Sequence, residues 1–216
     1  MQKLSGISVC IWDFDGTLYR QNHALWENIR ASEIEVIMAH TGWAEEKAKE
    51  EFYKIYPNIT PSGTKTTSML ANISNAQASV ESSRGTKYDA YLHTDVKLTD
   101  MFSCLSTYVH YMLVNGSQES VTRGLHLLDV NTHIFKEIVT SELVGETKPS
   151  IKGFEYILKK TGLSPEKHLM IGDREQVDLA PAKSVGIKTC LAWADVKSEI
   201  ADVTIPTIYD IVGVLG

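Results

Sequence analysis

The chain has 216 residues, of which 43% are hydrophobic and 22% charged, and its formal net charge is −6 at neutral pH. This length can bury one sizeable core, or a core with a small insert, and the composition is ordinary for a soluble globular protein. The acidic balance argues against nucleic-acid or membrane partners, the apolar runs are too short to span a membrane, and the N-terminus lacks a secretory segment. Three widely spaced cysteines suit a reducing compartment, so we predict a cytoplasmic protein, with its oligomeric state left open.

The first predicted element is a short buried strand over residues 7–12, which reads Ile-Ser-Val-Cys-Ile-Trp. The strand ends abruptly in Asp13, Phe14, Asp15 and Gly16. Two carboxylates two residues apart at the end of a buried strand are costly unless a cation or a proton compensates them. Gly16 lets the backbone turn sharply straight after them. This segment is therefore the most informative part of the sequence.

Residues 19–94 contain no convincing strand, and we expect them to be helical. Gly42 interrupts the helical pattern, and residues 57–63 form a loop with two prolines and a glycine. Four helices are predicted in this region, over 22–41, 44–56, 65–78 and 86–94.

The remainder of the chain alternates strands and helices, which is typical of a parallel, doubly wound sheet. Strands are predicted over 109–114, 135–140, 168–171, 187–193 and 203–205. Helices are predicted over 118–128, 150–161, 179–185 and 208–215. The predicted fold class is therefore α/β, a doubly wound parallel sheet with an inserted α-helical unit.

Acidic residues also follow a strand near the C-terminal end of the chain. Gly172 and Asp173 come directly after the strand predicted over 168–171, and Asp178 follows five residues later. Ligands of open α/β sheets bind at the edge where parallel strands end, so Asp173 is expected beside Asp13. Carboxylate oxygens with retained waters suit Mg²⁺, which is the predicted cofactor.

The ordered segments resemble those of the haloacid dehalogenase (HAD) superfamily. Its first motif, DxDGT, is matched by residues 13–17, and its fourth, GDxxxxD, by residues 172–178. Its third motif is a lysine at the start of a helix, which Lys148 and Pro149 match; proline suits the first turn of a helix.

The resemblance covers nearly the whole chain. It implies a HAD-like core formed by residues 1–18 and 95–216. Residues 19–94 match only by their position and helical character, and they correspond to the family's C1 cap, a helical lid over the active site.

The resemblance also implies a role for each charged residue. Asp13 attacks phosphorus, and Asp15 protonates the leaving oxygen and later takes a proton from water. Mg²⁺ is held by Asp13, by the Asp15 carbonyl and by Asp173, and Lys148 adds a second positive charge. Asp178 is placed in the metal group, where it orients Lys148 or a metal-bound water.

The second motif departs from the family pattern. The family places a serine or threonine at the end of this strand to bind the phosphoryl group, and here Val114 occupies that position. The N–H groups of Asn115 and Gly116, just before a helix, can still bind an anion, and Ser117 can supply a hydroxyl. Together with Lys148 they are the predicted phosphate-binding residues.

The predicted function is a Mg²⁺-dependent phosphatase that hydrolyses a small phosphorylated metabolite through an aspartyl-phosphate intermediate. The alternatives are a phosphosugar mutase of the same superfamily and a catalytically weak binding or regulatory protein, which Val114 keeps open. A dehalogenase is disfavoured, because the family's dehalogenases lack the second acid, present here as Asp15. The sequence does not identify the substrate; Tyr19, Arg20 and Trp26 are candidate specificity residues, as is Tyr56.

Overall fold

A parallel sheet of six strands lies at the centre of the described chain, residues 3–216 of a computed structural model. The strands are β1 (Val9–Trp12), β2 (Val109–Leu113), β3 (Phe135–Val139), β4 (His168–Gly172), β5 (Lys188–Ala192) and β6 (Val203–Ile205). Their order across the sheet is β3-β2-β1-β4-β5-β6, and every pair of neighbours is parallel. This confirms the predicted α/β class, and each strand begins and ends within two residues of its predicted limits.

Helices cover both faces of the sheet and form the insert after β1. The α-helices are α1 (His23–Thr41), α2 (Glu45–Ile55), α3 (Gly63–Ala71), α4 (Asn75–Gly85), α5 (Val96–Cys104), α6 (Gln118–Leu127), α7 (Ser141–Val144), α8 (Lys152–Thr161), α9 (Ala180–Ser184) and α10 (Ile211–Leu215). A π-helical turn, Glu175–Leu179, leads directly into α9. Within residues 3–216 none of the helices combines the length and the apolar character needed to cross a bilayer.

The two faces of β1 belong to two different hydrophobic layers. Successive side chains of a strand point to opposite faces. Cys10 and Trp12 therefore pack into one cluster of buried residues, and Val9 and Ile11 pack into the other, which includes Phe154 of α8. The strand is buried on both sides, so its end is held rigidly between neighbours.

The helices after β1 have a small core of their own. The side chain of Asn22 caps α1 by accepting hydrogen bonds from two backbone N–H groups, and α1 ends at Gly42, whose φ of 71° suits glycine. Buried residues of α1 and α2 pack together in a separate cluster, which includes Ile37 and Phe52. This separate core is consistent with the helical insert predicted over residues 19–94. The limits of that insert as a domain remain a prediction.

Two of the helices predicted in the insert are wrong. The helix predicted over 65–78 is broken at Asn72, which adopts φ 53°, and α4 starts afresh after Ser74, whose hydroxyl caps it. The segment predicted as helical over 86–94 contains only a 3-10 turn, Tyr88–Ala90. Helix α5, capped by Asp95, was not predicted. The left-handed backbone of Asn72 and the side-chain caps of Ser74 and Asp95 set these helix boundaries, which hydrophobic periodicity does not reveal.

Candidate active site

Asp13 stands at the end of β1 in a buried position, 3% exposed. Its backbone N–H donates to the carbonyl of Ile171 in β4 at 3.0 Å. One carboxylate oxygen, Oδ1, lies 2.8 Å from the Nζ of Lys148. The other oxygen, Oδ2, is buried and has no hydrogen-bond partner among residues 3–216. Burial raises the pKa of Asp13 to about 6, although the ammonium of Lys148 opposes the shift.

Lys148 reaches the same place from the loop before α8. Its side chain is 1% exposed, and its Nζ lies 2.8 Å from Asp13 and 2.6 Å from Asp178. Burial alone would lower the pKa of Lys148, but the two carboxylates raise it above its ordinary value, so the amine is charged. Asn115 fixes the Lys148 backbone: its Oδ1 accepts the Lys148 N–H at 2.8 Å, and its Nδ2 donates to the Lys148 carbonyl at 3.0 Å.

Three carboxylates meet beside Lys148. Ligand atoms of Asp13, Asp173 and Asp178 all lie within 4.8 Å of one another. One Asp178 oxygen accepts a hydrogen bond from the Nζ of Lys148, and the other accepts the backbone N–H of Arg174 at 3.1 Å. Burial first, and then the charge of Asp178, raise the pKa of Asp173 to about 7.

This donor set fits a hard divalent cation. The cluster consists of carboxylate oxygens, and Asp13 Oδ2 is an orphaned buried acceptor. Gly16 keeps the space open: it has φ 83°, and a Cβ at this position would lie 2.9 Å from the Cγ of Asp173. A glycine is therefore required beside the cluster.

Asp15 is held apart from the cluster by two tyrosines. Its Oδ1 accepts the hydroxyl of Tyr19 at 2.6 Å and that of Tyr88 at 2.7 Å. Burial raises the pKa of Asp15, and the two tyrosine hydroxyls lower it in part. The carboxyl group is thus kept in one orientation, with a pKa moved toward the range in which it can carry a proton.

The residues after β2 are only partly placed as predicted. Asn115 and Gly116 line the cavity beside Asp13. Val114 packs in the hydrophobic core, 3% exposed, with its side chain in the main cluster. Ser117 caps α6, where its hydroxyl accepts the Ser120 N–H at 3.2 Å. The structure does not bring the Ser117 hydroxyl to the cavity, because that hydroxyl satisfies the first turn of the helix.

Helices of the insert close the other side of the site. A cavity of about 70 Å³ lies between the carboxylates and α1, α3 and α4. Among the residues proposed for specificity, Trp26 lines the cavity, Tyr19 contacts Asp15, Tyr56 lies outside beside Arg30, and Arg20 is exposed on the surface.

Several cavity residues were not predicted from the sequence. Arg30 and Glu33 form a buried ion pair on α1, with exposures of 8% and 4%. Ser82 of α4 and Arg174, from the segment after β4, also line the cavity. The i, i+3 spacing of Arg30 and Glu33 predicts an ion pair, but such pairs usually lie on the solvent-exposed face of a helix. Only the packing of α3 and α4 against α1 shows that this one is buried.

The family is shown by comparison with known proteins. The model of the haloacid dehalogenase-like hydrolase family matches residues 10–192, which include Asp13, Lys148 and Asp173. The chain belongs to this family. The resemblance noted in the sequence is thereby confirmed.

Curated relatives and solved structures agree with this HAD-like assignment. A glyceraldehyde 3-phosphate phosphatase of Methanocaldococcus jannaschii is 34% identical over 133 residues, which is 59% of this chain and 56% of that protein. The chain thus spans little more than half the length of this relative. A protein of the same name from Methanopyrus kandleri is 26% identical over 200 residues, 85% of this chain and 82% of that one. The crystal structure of a HAD phosphatase from Thermococcus onnurineus superposes with a TM-score of 0.66 at 19% identity, covering 97% of this chain and 98% of that one.

Proposed function

We propose that this protein is a phosphatase that hydrolyses a small phosphorylated metabolite, with Asp13 as the nucleophile. The observation that carries the proposal is the state of the Asp13 carboxylate. Lys148 holds one oxygen at 2.8 Å, while the other is buried and unpartnered at the edge of the cavity. A fixed carboxylate with one available oxygen suits nucleophilic attack on phosphorus.

The first chemical step transfers the phosphoryl group to Asp13. A bond forms between an Asp13 oxygen and phosphorus, and the bond between phosphorus and the leaving oxygen breaks. Asp15 donates its proton to that leaving oxygen, consistent with its raised pKa. Lys148 stabilises the charge on the phosphoryl oxygens from a dry position, where electrostatic interactions are strong.

The second step regenerates the enzyme. Asp15, now ionised, takes a proton from a water molecule, whose oxygen attacks phosphorus. The bond between phosphorus and Asp13 breaks, and inorganic phosphate leaves. Tyr19 and Tyr88 keep Asp15 oriented through both steps, because their hydroxyls hold one of its oxygens.

The carboxylates of Asp13 and Asp173, with Asp178 beside them, would hold the Mg²⁺ that the family implies. When bound, this ion neutralises phosphoryl charge and helps to orient the substrate. The fit of the site rests on the three clustered carboxylates, whose oxygens are hard donors.

The dimensions of the cavity favour a small substrate. Its volume of about 70 Å³ is far below the 300–1,000 Å³ typical of sites for drug-sized ligands. The names of the curated relatives make glyceraldehyde 3-phosphate the first compound to test.

The experiment is a screen for phosphate release from small phosphomonoesters, with Mg²⁺, with Ca²⁺ and with excess chelator. We expect turnover with Mg²⁺ and inhibition by Ca²⁺, which prefers more ligands and a looser geometry. Asp13→Asn should abolish turnover without changing the melting temperature much, and Asp89→Asn, a change on the exposed surface, should behave as wild type. Full activity in excess chelator would show that turnover needs no metal. Retained activity in Asp13→Asn would show that Asp13 is not the nucleophile. Isomerised sugar phosphate in place of free phosphate identifies a mutase.

A further inference from the structure

Tyr88 lies on the segment that connects α4 to α5. This segment runs from the end of α4 through residues 86–87 into the 3-10 turn Tyr88–Ala90. The Tyr88 side chain is buried, and its hydroxyl donates to Asp15 Oδ1 at 2.7 Å. Tyr19, the other donor, is only four residues from Asp15 in the chain, whereas Tyr88 is 73 residues away. The contact of Tyr88 with Asp15 therefore depends on how this segment is held.

Arg123 of α6 binds the carbonyl groups just before Tyr88. Its Nη2 donates to the Thr86 carbonyl at 2.7 Å and to the Ser83 carbonyl at 3.3 Å. These carbonyls belong to the last turn and the C-cap of α4, where the helix dipole favours a cation. The guanidinium carbon also lies 5.8 Å from the centroid of the Tyr88 ring. One side chain of α6 thus fixes the end of α4.

Asn28 of α1 binds the same segment through its side-chain amide. Its Nδ2 donates to the Gly85 carbonyl at 3.2 Å, and its Oδ1 accepts the Lys87 N–H at 2.8 Å. A carboxamide can both donate and accept, so one side chain satisfies two backbone groups. Between them, Asn28 and Arg123 bind four backbone groups in residues 83–87, directly before Tyr88.

Close packing brings α6 to this place. Gly124, the residue after Arg123, lies against Phe14, and a Cβ at Gly124 would overlap the Phe14 ring. Phe14 is the residue between the two carboxylates of the first motif. Its ring also meets the Tyr88 ring edge to face, with centroids 5.7 Å apart. The helix that carries Arg123 is therefore held at a fixed distance from Asp15 and from Tyr88.

We propose that Arg123 and Asn28 are positioning residues for the proton transfer from Asp15 to the leaving oxygen. They hold residues 83–87, and this segment keeps the Tyr88 hydroxyl on Asp15. Neither Arg123 nor Asn28 lines the cavity, so both act through Tyr88 and not on the substrate. The inference rests on the proposed phosphatase function and adds two residues to its first step. Without them Asp15 would spend less time in the orientation that reaches the leaving oxygen.

The test uses two phosphate esters of nearly equal size, ethyl phosphate and trifluoroethyl phosphate. The fluorinated alkoxide is the weaker base, so its departure depends less on a proton from Asp15. In Arg123→Gln we expect kcat/KM to fall about fivefold for ethyl phosphate and less than about twofold for trifluoroethyl phosphate, because only proton transfer is impaired. Asn28→Ala and Tyr88→Phe should show the same pattern. A general loss of structure would lower both values by the same factor.

Arg84→Gln is the matched control. Arg84 lies exposed in the last turn of α4, so this variant removes the same charge beside the same segment. Its kcat/KM should equal that of wild type for both esters.

A double variant tests whether Arg123 acts through Tyr88. Both changes remove the same interaction, so Arg123→Gln combined with Tyr88→Phe should lose no more activity on ethyl phosphate than the more impaired single variant. Deuterium exchange of the backbone amides of residues 84–88, followed by mass spectrometry, should be faster in Arg123→Gln and in Asn28→Ala, and unchanged in Arg84→Gln. Thermal melting identifies a variant that does not fold; if that variant is Arg123→Gln, Asn28→Ala tests the same segment.

The inference is overturned if the folded variants lose the same factor on both esters, if the losses in the double variant multiply, or if exchange over residues 84–88 matches wild type. Any of these results leaves the proposed function intact, provided that wild type releases phosphate. Absence of phosphate release from every phosphomonoester would instead refute the proposed function, while the exchange measurements would still decide whether Arg123 and Asn28 hold the segment.

Discussion

The approach of Gly16 to Asp173 predicts that one added methyl group will disable the site. In Gly16→Ala the new Cβ would lie 2.9 Å from the Asp173 Cγ, on a backbone with φ 83°. Gly42→Ala is the matched control, because Gly42 has φ 71° and nothing lies within 4 Å of an added Cβ. Any difference between the two variants therefore reports the contact with Asp173.

The magnitudes follow from two contributions. Left-handed backbone costs an alanine about 1–2 kcal/mol, and the stiffer unfolded chain returns about 0.4–1 kcal/mol, so Gly42→Ala should lose about 1 kcal/mol. Crowding in a packed site adds about 1–3 kcal/mol, so Gly16→Ala should lose about 2–4 kcal/mol. For a chain of this length, each 1 kcal/mol lowers the melting temperature by about 2–4 °C.

Activity should separate the two variants more sharply than stability. Displacing a site carboxylate by about 1 Å costs on the order of 100-fold in rate, so Gly16→Ala should lose about that factor in kcat/KM. Gly42→Ala should stay within twofold of wild type. Urea unfolding and phosphate release measured on the same preparations provide both quantities. If Gly16→Ala matches Gly42→Ala in both, the close approach to Asp173 imposes no constraint and the reasoning is wrong.

Three further predictions concern the carboxylates and a buried histidine. Asp173→Asn should raise the melting temperature of the metal-free protein, because it relieves repulsion within the acidic cluster, and it should remove the stabilisation by Mg²⁺ that thermal melting of wild type should show. Tyr88→Phe should lower kcat by roughly fivefold to tenfold, about 1–1.4 kcal/mol, because Asp15 loses one of two hydroxyl donors; an unchanged kcat would remove Tyr88 from the mechanism. His110 accepts the indole N–H of Trp12 at Nδ1 and is neutral, and burial lowers its pKa. At this histidine the unfolded chain binds more protons, so its contribution to the free energy of unfolding should fall as pH drops through about 6.5, whereas the raised pKa values of Asp13 and Asp173 act in the opposite direction. The loss of stability caused by His110→Phe should therefore be smaller at pH 5.5 than at pH 7.5 in urea titrations.

Much of the fold could be predicted from the sequence, because its signals are local. The strands are short apolar runs, of which β1 and β4 end directly before Asp13 and Asp173, and parallel strands end at one edge of a sheet. Asp13 and Asp173 are therefore expected side by side from the sequence alone, and their carboxylates do meet. The helix boundary at Asn72 could not be predicted from periodicity, since it depends on one residue in the left-handed region and on a serine cap.

The cavity wall formed by α1 could not be predicted from local sequence patterns. Arg30 and Glu33 have the spacing of an ordinary surface pair on a helix, and the packing of α3 and α4 against α1 buries them. Ser117 is the opposite case. The sequence analysis predicts that its hydroxyl binds phosphate, but in the structure this hydroxyl caps helix α6. Contacts between distant segments decide both outcomes.

The pairing of β1 with distant strands determines when the candidate active site can form during folding. Cys10 pairs with His110 on one side and with Leu169 on the other, so its partners lie 100 and 159 residues further along the chain. Pairing over such distances is slow, because long loops must close before the contacts stabilise them. Asp13, the proposed nucleophile, is therefore synthesised well before the residues that surround it, Lys148, Asp173 and Asp178. A growing or truncated chain that ends before β4 lacks Asp173 and Asp178, and it should therefore be unable to act on phosphorylated metabolites.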